Sequence, residues 1–326
     1  MFSPNRRRFL QAAGTAPLSL ACAGQLATTR ACVAEDLSKP GFEIIDCHVH
    51  FYDPTREGGV PWPGKNDALL FRPMLPEHFR RAAQPLGVGG TVVVEASPLM
   101  EDNQWILDLA KDDSWINGLV GHLQPGSEDF SKHVRRFAKD DLFRGIRINY
   151  KLLAERLGEA PLVRDLELLA EHDLQLDVNG SPALLPHVDR LARKVPKLRV
   201  VINHLANVRI DGRTVDKAWR DGMLRAGEHE QVYCKVSALV EGTGRRDGTA
   251  PDDVEFYRPT LDVAWKAFGG DRLIYGSNWP VSLRFASYAT VMKIVRTYFG
   301  EKGREASSKF FADNARKSYK WLVRKA

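Results

Sequence analysis

Short apolar runs alternate with longer amphipathic ones along most of this chain. From Glu35 onward the short runs read FEIIDCHV, GTVVVEA, INGLVGHL, FRGIRIN, LQLDVNG, LRVVINHL, VYCKVSAL and RLIYGSN. Brief stretches rich in Val and Ile, bounded by Gly, Asn or Asp, predict β-strands. Between them, apolar residues recur at three- and four-residue spacing, as in EDNQWILDLAKDD, APLVRDLELLAEHD, PALLPHVDRLARK and DDVEFYRPTLDVAWKAF. That spacing predicts helices with one buried face. Strand then helix, eight times over, predicts a parallel sheet covered by helices. Eight units in about 260 residues favour a closed (β/α)8 TIM barrel of the α/β class over an open doubly wound sheet. No G-x-G-x-x-G follows the first strand, which weakens a dinucleotide-binding reading.

Two insertions break the rhythm. Residues 51–76, rich in Pro and Gly and holding Trp62, follow the first strand and predict a lid or pocket wall over the C-terminal mouth. Residues 239–253 follow the seventh strand on the same face. From Gly303 the tail predicts a closing amphipathic helix.

The N-terminus follows a different pattern. Arg6, Arg7 and Arg8 precede Phe9-Leu10 and a stretch of small and apolar residues, and no acid occurs before Glu35. Residues 1–34 therefore predict an export signal of the twin-arginine type and a periplasmic destination, with residues 35–326 as one barrel domain. Cleavage is expected after Ala23 or Ala34, and Cys22 leaves a lipid anchor as a weaker reading. Removing that segment takes away four arginines and no acid, so the net charge falls from +6 to +2. No basic run remains to suggest nucleic acid, and no later stretch is apolar for long enough to span a membrane. Cys47 and Cys234, both in strand-like runs, make no disulfide framework. A small molecule is the expected partner, and nothing in the pattern fixes an oligomeric state.

Barrel chemistry gathers at the C-terminal ends of strands. The first strand ends in His48-Val49-His50, and alternation places both imidazoles on one side, with Cys47 and Val49 on the other. The sixth ends at His204. Neutral imidazoles ligate zinc and related ions, although an isolated His-x-His is a weak signal. Glu95 closes the apolar second strand, where a carboxylate is costly unless paired or bound to metal. Arg147 and Lys235, among apolar residues of the fourth and seventh strands, suit a pocket for an anionic group. Pairing of these cations with Asp177 or Glu95 is the competing reading. His122 is a weaker pocket candidate, and the eighth strand ends at Asn278 before Pro280.

With these residues in place, the chain resembles the amidohydrolase superfamily, in particular the amidohydrolase-2 group of sugar lactonases, pyrone-dicarboxylate lactonases and related decarboxylases. IIDCHVHFYDP, FRGIRIN, VINHLANV, VYCKVSAL and RLIYGSNWPV carry the likeness, from Glu43 to Trp321. The resemblance implies a hydrolase opening a lactone, or an amide, of a small polar acid or sugar derivative. It implies that His48, His50 and His204 face the reaction centre and that Arg147 lies at the substrate. The family's last strand usually ends in Asp, which binds metal or handles the proton of the attacking water. Asn278 stands there instead and cannot take a proton as a carboxylate does. One reading has Glu95 supply the missing carboxylate as metal ligand or base, with Asn278 orienting substrate or water. A divalent metal, with zinc the expected ion, would then rest on His48, His50 and His204 or Glu95, and Asp46 would orient a histidine from behind. Metal-independent action, a decarboxylase and a catalytically retired binding barrel are the alternatives.

Overall fold

The computed structural model describes residues 41–321, so the expected export signal lies outside the described residues. Eight strands occur where the apolar runs predict them: β1 Ile45–Val49, β2 Gly90–Val94, β3 Ile116–Gly121, β4 Phe143–Asn149, β5 Gln175–Asn179, β6 Val200–Ile202, β7 Val232–Val236 and β8 Leu273–Tyr275. Each pairs in parallel with the next in sequence. The ring closes between its ends. Val49 bridges Trp279, His50 N–H donates to the Trp279 carbonyl at 2.9 Å, and Asn278 N–H donates to the His48 carbonyl at 2.9 Å. At least one helix follows every strand, from Pro76–Ala83 after β1 to Tyr288–Glu301 after β8. The fold is a (β/α)8 TIM barrel. Among the described residues no helix is long and apolar enough to cross a membrane.

The larger apolar core lies where helices cover strands, with Phe79, Leu166, Trp219 and Phe299 among its members. A smaller cluster joins Ile45, Cys47, Val92, Val94, Val120, Val201 and Ile274. Strands that are not neighbours meet in it, so it fills the barrel interior. Strict alternation puts Cys47 opposite the imidazoles, on the side of the covering helices, but it packs here instead. The β1–β2 register shifts between Asp46 and Val49, and an irregularity of that kind breaks strict alternation. Ala312, Ala315, Tyr319 and Trp321 complete the cluster, so the tail seals the inside of the barrel. That tail is not one regular helix: Arg304–Ser308 passes through a π-turn, Lys309–Asp313, into Asn314–Tyr319.

Asp46 stitches the closure. Its Oδ1 accepts the backbone N–H of His48 at 3.1 Å and of Ser277 at 2.9 Å, and its Oδ2 accepts the Tyr288 hydroxyl at 3.0 Å. It therefore holds backbone and a tyrosine rather than a histidine ring, correcting the expectation from sequence. Burial raises its pKa to about 6. Beside it, Gly276 allows β8 to approach: a Cβ there would stand 2.7 Å from His48 Cβ.

The insertion after β1 is pinned down. Tyr52 and Met74 exchange backbone hydrogen bonds at 2.9 and 2.8 Å, the Tyr52 hydroxyl reaches the Leu70 carbonyl, and Asp67 pairs with Arg284. The result is a wall, with the Trp62 ring centred 6.1 Å from that of His50.

Candidate active site

A cavity of about 660 Å³ opens at the C-terminal ends of the strands. His50, His204, Arg147, Asn278, Trp62 and Glu241 are among its lining residues. His48 is fully buried behind these lining residues, its ring centre 4.3 Å from that of His204 and 5.1 Å from that of His50. The three imidazoles that the sequence scatters over 157 positions thus share one corner.

Backbone strain delivers part of the set. His204, Leu205, Ala206 and Asn207 all have φ between 48° and 57°, a short left-handed turn directly after β6. Left-handed geometry costs a non-glycine residue roughly 1–2 kcal/mol. Ala238, after β7, has φ 49°, and Asn278, after β8, has φ 60°. Such outliers gather at functional sites, where surrounding structure over-determines them.

The imidazoles are neutral. Burial, then the nearby Arg147 cation, lowers the pKa of His50 to about 3. Burial with Arg147 and Lys235 drives His204 well below its ordinary value, and burial with Lys235 does the same for His48. His50 Nδ1 lies 2.9 Å from the Val94 carbonyl, which can only accept, so Nδ1 carries the proton and Nε2 a lone pair. His204 Nδ1 shares a hydrogen bond with Ser237 Oγ at 2.8 Å.

The carboxylate nearest Asn278 is Glu241, in the loop after β7. Asn278 Nδ2 lies 2.9 Å from Glu241 Oε1, while Asn278 Oδ1 lies 3.2 Å from His50 Nε2. The other oxygen, Oε2, is buried with no protein partner among the described residues. Burial raises the Glu241 pKa to about 7. When Glu241 is protonated, the amide can turn: its NH2 then meets the His50 lone pair, and its oxygen accepts the acid proton. The amide therefore links the protonation of Glu241 to His50. Sequence reading singled out the loop, residues 239–253, but not this residue, since a Glu opening a Gly-rich segment looks solvated.

The other expected residues lie elsewhere. Glu95 is bound to Arg147: Nε donates to Oε1 at 2.7 Å and Nη2 donates to the Glu95 carbonyl at 2.8 Å. Their side chains are only 16% and 13% exposed. Glu95 and His122 line a neighbouring cavity of about 520 Å³ that shares Arg147 with the first. Lys235 is fully buried below the mouth, 2.6 Å from Asp177 Oδ2, so it does not reach the ligand space as expected. The competing ion-pair reading holds for both cations: Arg147 with Glu95, Lys235 with Asp177.

These positions bear on a metal. Among the described residues no three His, Cys, Asp or Glu side chains are placed to hold an ion. Glu95 is committed to Arg147, the last-strand donor is an amide, and the Lys235 ammonium stands 3.3 Å from His48 Nδ1. The zinc set expected from sequence therefore does not fit these side chains as they stand.

With the geometry in view, comparisons place the chain among known proteins. The amidohydrolase family profile matches residues 45–321. An L-fucono-1,5-lactonase of Burkholderia ambifaria is 33% identical over 241 residues, 73% of this chain and 80% of that one. A second L-fucono-1,5-lactonase, from Burkholderia multivorans, is 28% identical over 262 residues, 78% of this chain and 88% of that one. The crystal structure of a zinc-bound amidohydrolase from Burkholderia multivorans superposes with a TM-score of 0.75 at 25% identity, covering 86% of this chain and 100% of that one. The chain belongs to the amidohydrolase family.

Proposed function

We propose that this protein hydrolyses the lactone of a small sugar acid, with Glu241 as general base and then general acid. The observation that carries the reading is Glu241 itself: a carboxyl poised at about pH 7, in the same cavity as His50, His204 and Arg147. A general base works best with a pKa near the working pH. In its anionic form Glu241 takes a proton from water as the oxygen attacks the lactone carbonyl carbon. The carbonyl π bond breaks and charge gathers on oxygen. Arg147 offers that oxygen a cationic donor, since Nη1 has no protein partner among the described residues. Collapse breaks the ring C–O bond, Glu241 returns its proton to the leaving alkoxide, and a hydroxy acid results. The two curated relatives named L-fucono-1,5-lactonase support the substrate class.

A panel of five- and six-membered sugar lactones, including L-fucono-1,5-lactone, followed by acid release in a pH-stat, tests this. Ring opening should rise with pH through about 7 and fall by about 10²–10⁴ in Glu241→Gln. Undiminished turnover in that variant sinks the assignment. Carbon dioxide release without ring opening would favour the decarboxylase alternative, and tight binding without turnover the retired barrel.

A further inference from the structure

We propose that Lys235 is a positioning residue that locks His48 in the tautomer bearing its proton on Nε2, making that ring a hydrogen-bond donor to a ligand oxygen rather than a metal ligand. The argument starts beneath the cavity. Lys235 and Asp177 are both fully buried, with Nζ 2.6 Å from Oδ2. The Tyr319 hydroxyl, from the tail, donates to the other carboxylate oxygen at 3.2 Å. Among the described residues the other hydrogen-bond partner of Nζ is His48 Nδ1, at 3.3 Å, while the Tyr319 ring lies 5.3 Å away. An ammonium has three donors and no acceptor, so only a lone pair can face it. A neutral imidazole carries one proton, which must then sit on Nε2.

Nε2 of His48 is buried and has no protein partner among the described residues. Leaving a buried N–H unmade is costly, and such orphans in native structures call for a function or a ligand. Zinc takes an imidazole lone pair. In this tautomer neither nitrogen has one to give: Lys235 occupies Nδ1 and a proton occupies Nε2. His50 is set the opposite way, with Nδ1–H spent on the Val94 carbonyl and the lone pair at Nε2. The two rings of His48-Val49-His50 therefore offer opposite polarity, one donating and one accepting.

The tautomer stands apart from the lactonase reading; only the use of the donor on a lactone carbonyl rests on it. The test uses the full chain labelled with [15N]histidine and long-range 1H–15N spectra at pH 7. The His48 peaks are assigned by their loss in His48→Gln, or by elimination with His50→Gln and His204→Gln. The expected result is a protonated-type shift at Nε2 and an unprotonated-type shift at Nδ1. A proton on Nδ1, or on both nitrogens, overturns the proposal. In Lys235→Met/Asp177→Leu, which removes both charges together, His48 should become a mixture of tautomers. An unchanged Nε2–H there removes Lys235 from the role. Added zinc chloride should leave both His48 shifts in place, and loss of the Nε2 proton would overturn the donor assignment. On any lactone found to turn over, the double variant should lose about 100-fold in kcat with KM within about threefold, as for a lost oxyanion donor. Unchanged kcat would overturn use of the donor in turnover. A failed lactone panel would sink the function while leaving the nitrogen shifts to decide the tautomer.

Discussion

Replacing Glu241 with Gln should stabilise the fold above neutral pH while removing hydrolysis. Burial raises the carboxyl pKa from 4.5 to about 7. The folded chain thus holds this proton more tightly than the unfolded chain. As pH rises from 4.5 towards 7, the unfolded state releases its proton first, and stability falls. The full cost is present above pH 7 and absent well below 4.5. A rise of this size is worth about 3 kcal/mol, at roughly 1.36 kcal/mol per pKa unit. Gln is neutral at every pH and close in shape to the acid form. Relative to wild type, Glu241→Gln should therefore gain about 3 kcal/mol at pH 8 and no more than about 1 kcal/mol at pH 5. Equilibrium urea unfolding at both pH values, read at equal m-value, measures the difference. An equal difference at the two pH values would refute a buried, proton-holding Glu241, and with it the base assigned above.

Three further outcomes follow from the geometry. Asn278→Asp would set a second carboxylate 2.9 Å from Glu241 Oε1; like charges at that range raise one pKa, so the acid limb of the kcat/KM profile should move up by about one unit or more. Gly276→Ala puts a Cβ 2.7 Å from that of His48 and 3.2 Å from that of Ser237; overpacking should cost about 1–3 kcal/mol by urea unfolding and lower kcat with it. Ala206→Gly, at φ 57°, should be neutral or stabilising, whereas Ala154→Gly on the exposed face of the right-handed helix Tyr150–Arg156 should cost about 1 kcal/mol in the same assay.

The architecture was legible because periodicity is local. FEIIDCHV or LQLDVNG shows its strand character without help from distant residues, and chain order alone arranges eight such units in a ring. His48, His50, His204, Arg147 and Asn278 were legible for a related reason, since a strand end fixes where a side chain goes. Glu241 was not. Its place depends on a left-handed residue, Ala238, that turns the chain back over the mouth, and no sequence rule flags an alanine for positive φ. Glu95 and Lys235 show a second limit. Glu95 directly follows β2 and Lys235 lies within β7, both in the expected places, but whether a buried charge meets a ligand or an opposite charge depends on distances across the barrel. Glu95 meets Arg147 and Lys235 meets Asp177. Cys47 marks the third limit, because a one-residue irregularity in β1 defeats counting by twos.

The mirror-handed turn after β6 carries a cost of its own. His204, Leu205 and Ala206 in succession take a handedness their side chains disfavour, so His204 stays in place only while its neighbours press on it. Mild urea that slackens those neighbours should let the turn relax and silence the enzyme while most of the barrel still stands. Lactone turnover should then vanish at a lower urea concentration than far-ultraviolet ellipticity, and coincident midpoints would mean that this corner is as firm as the rest.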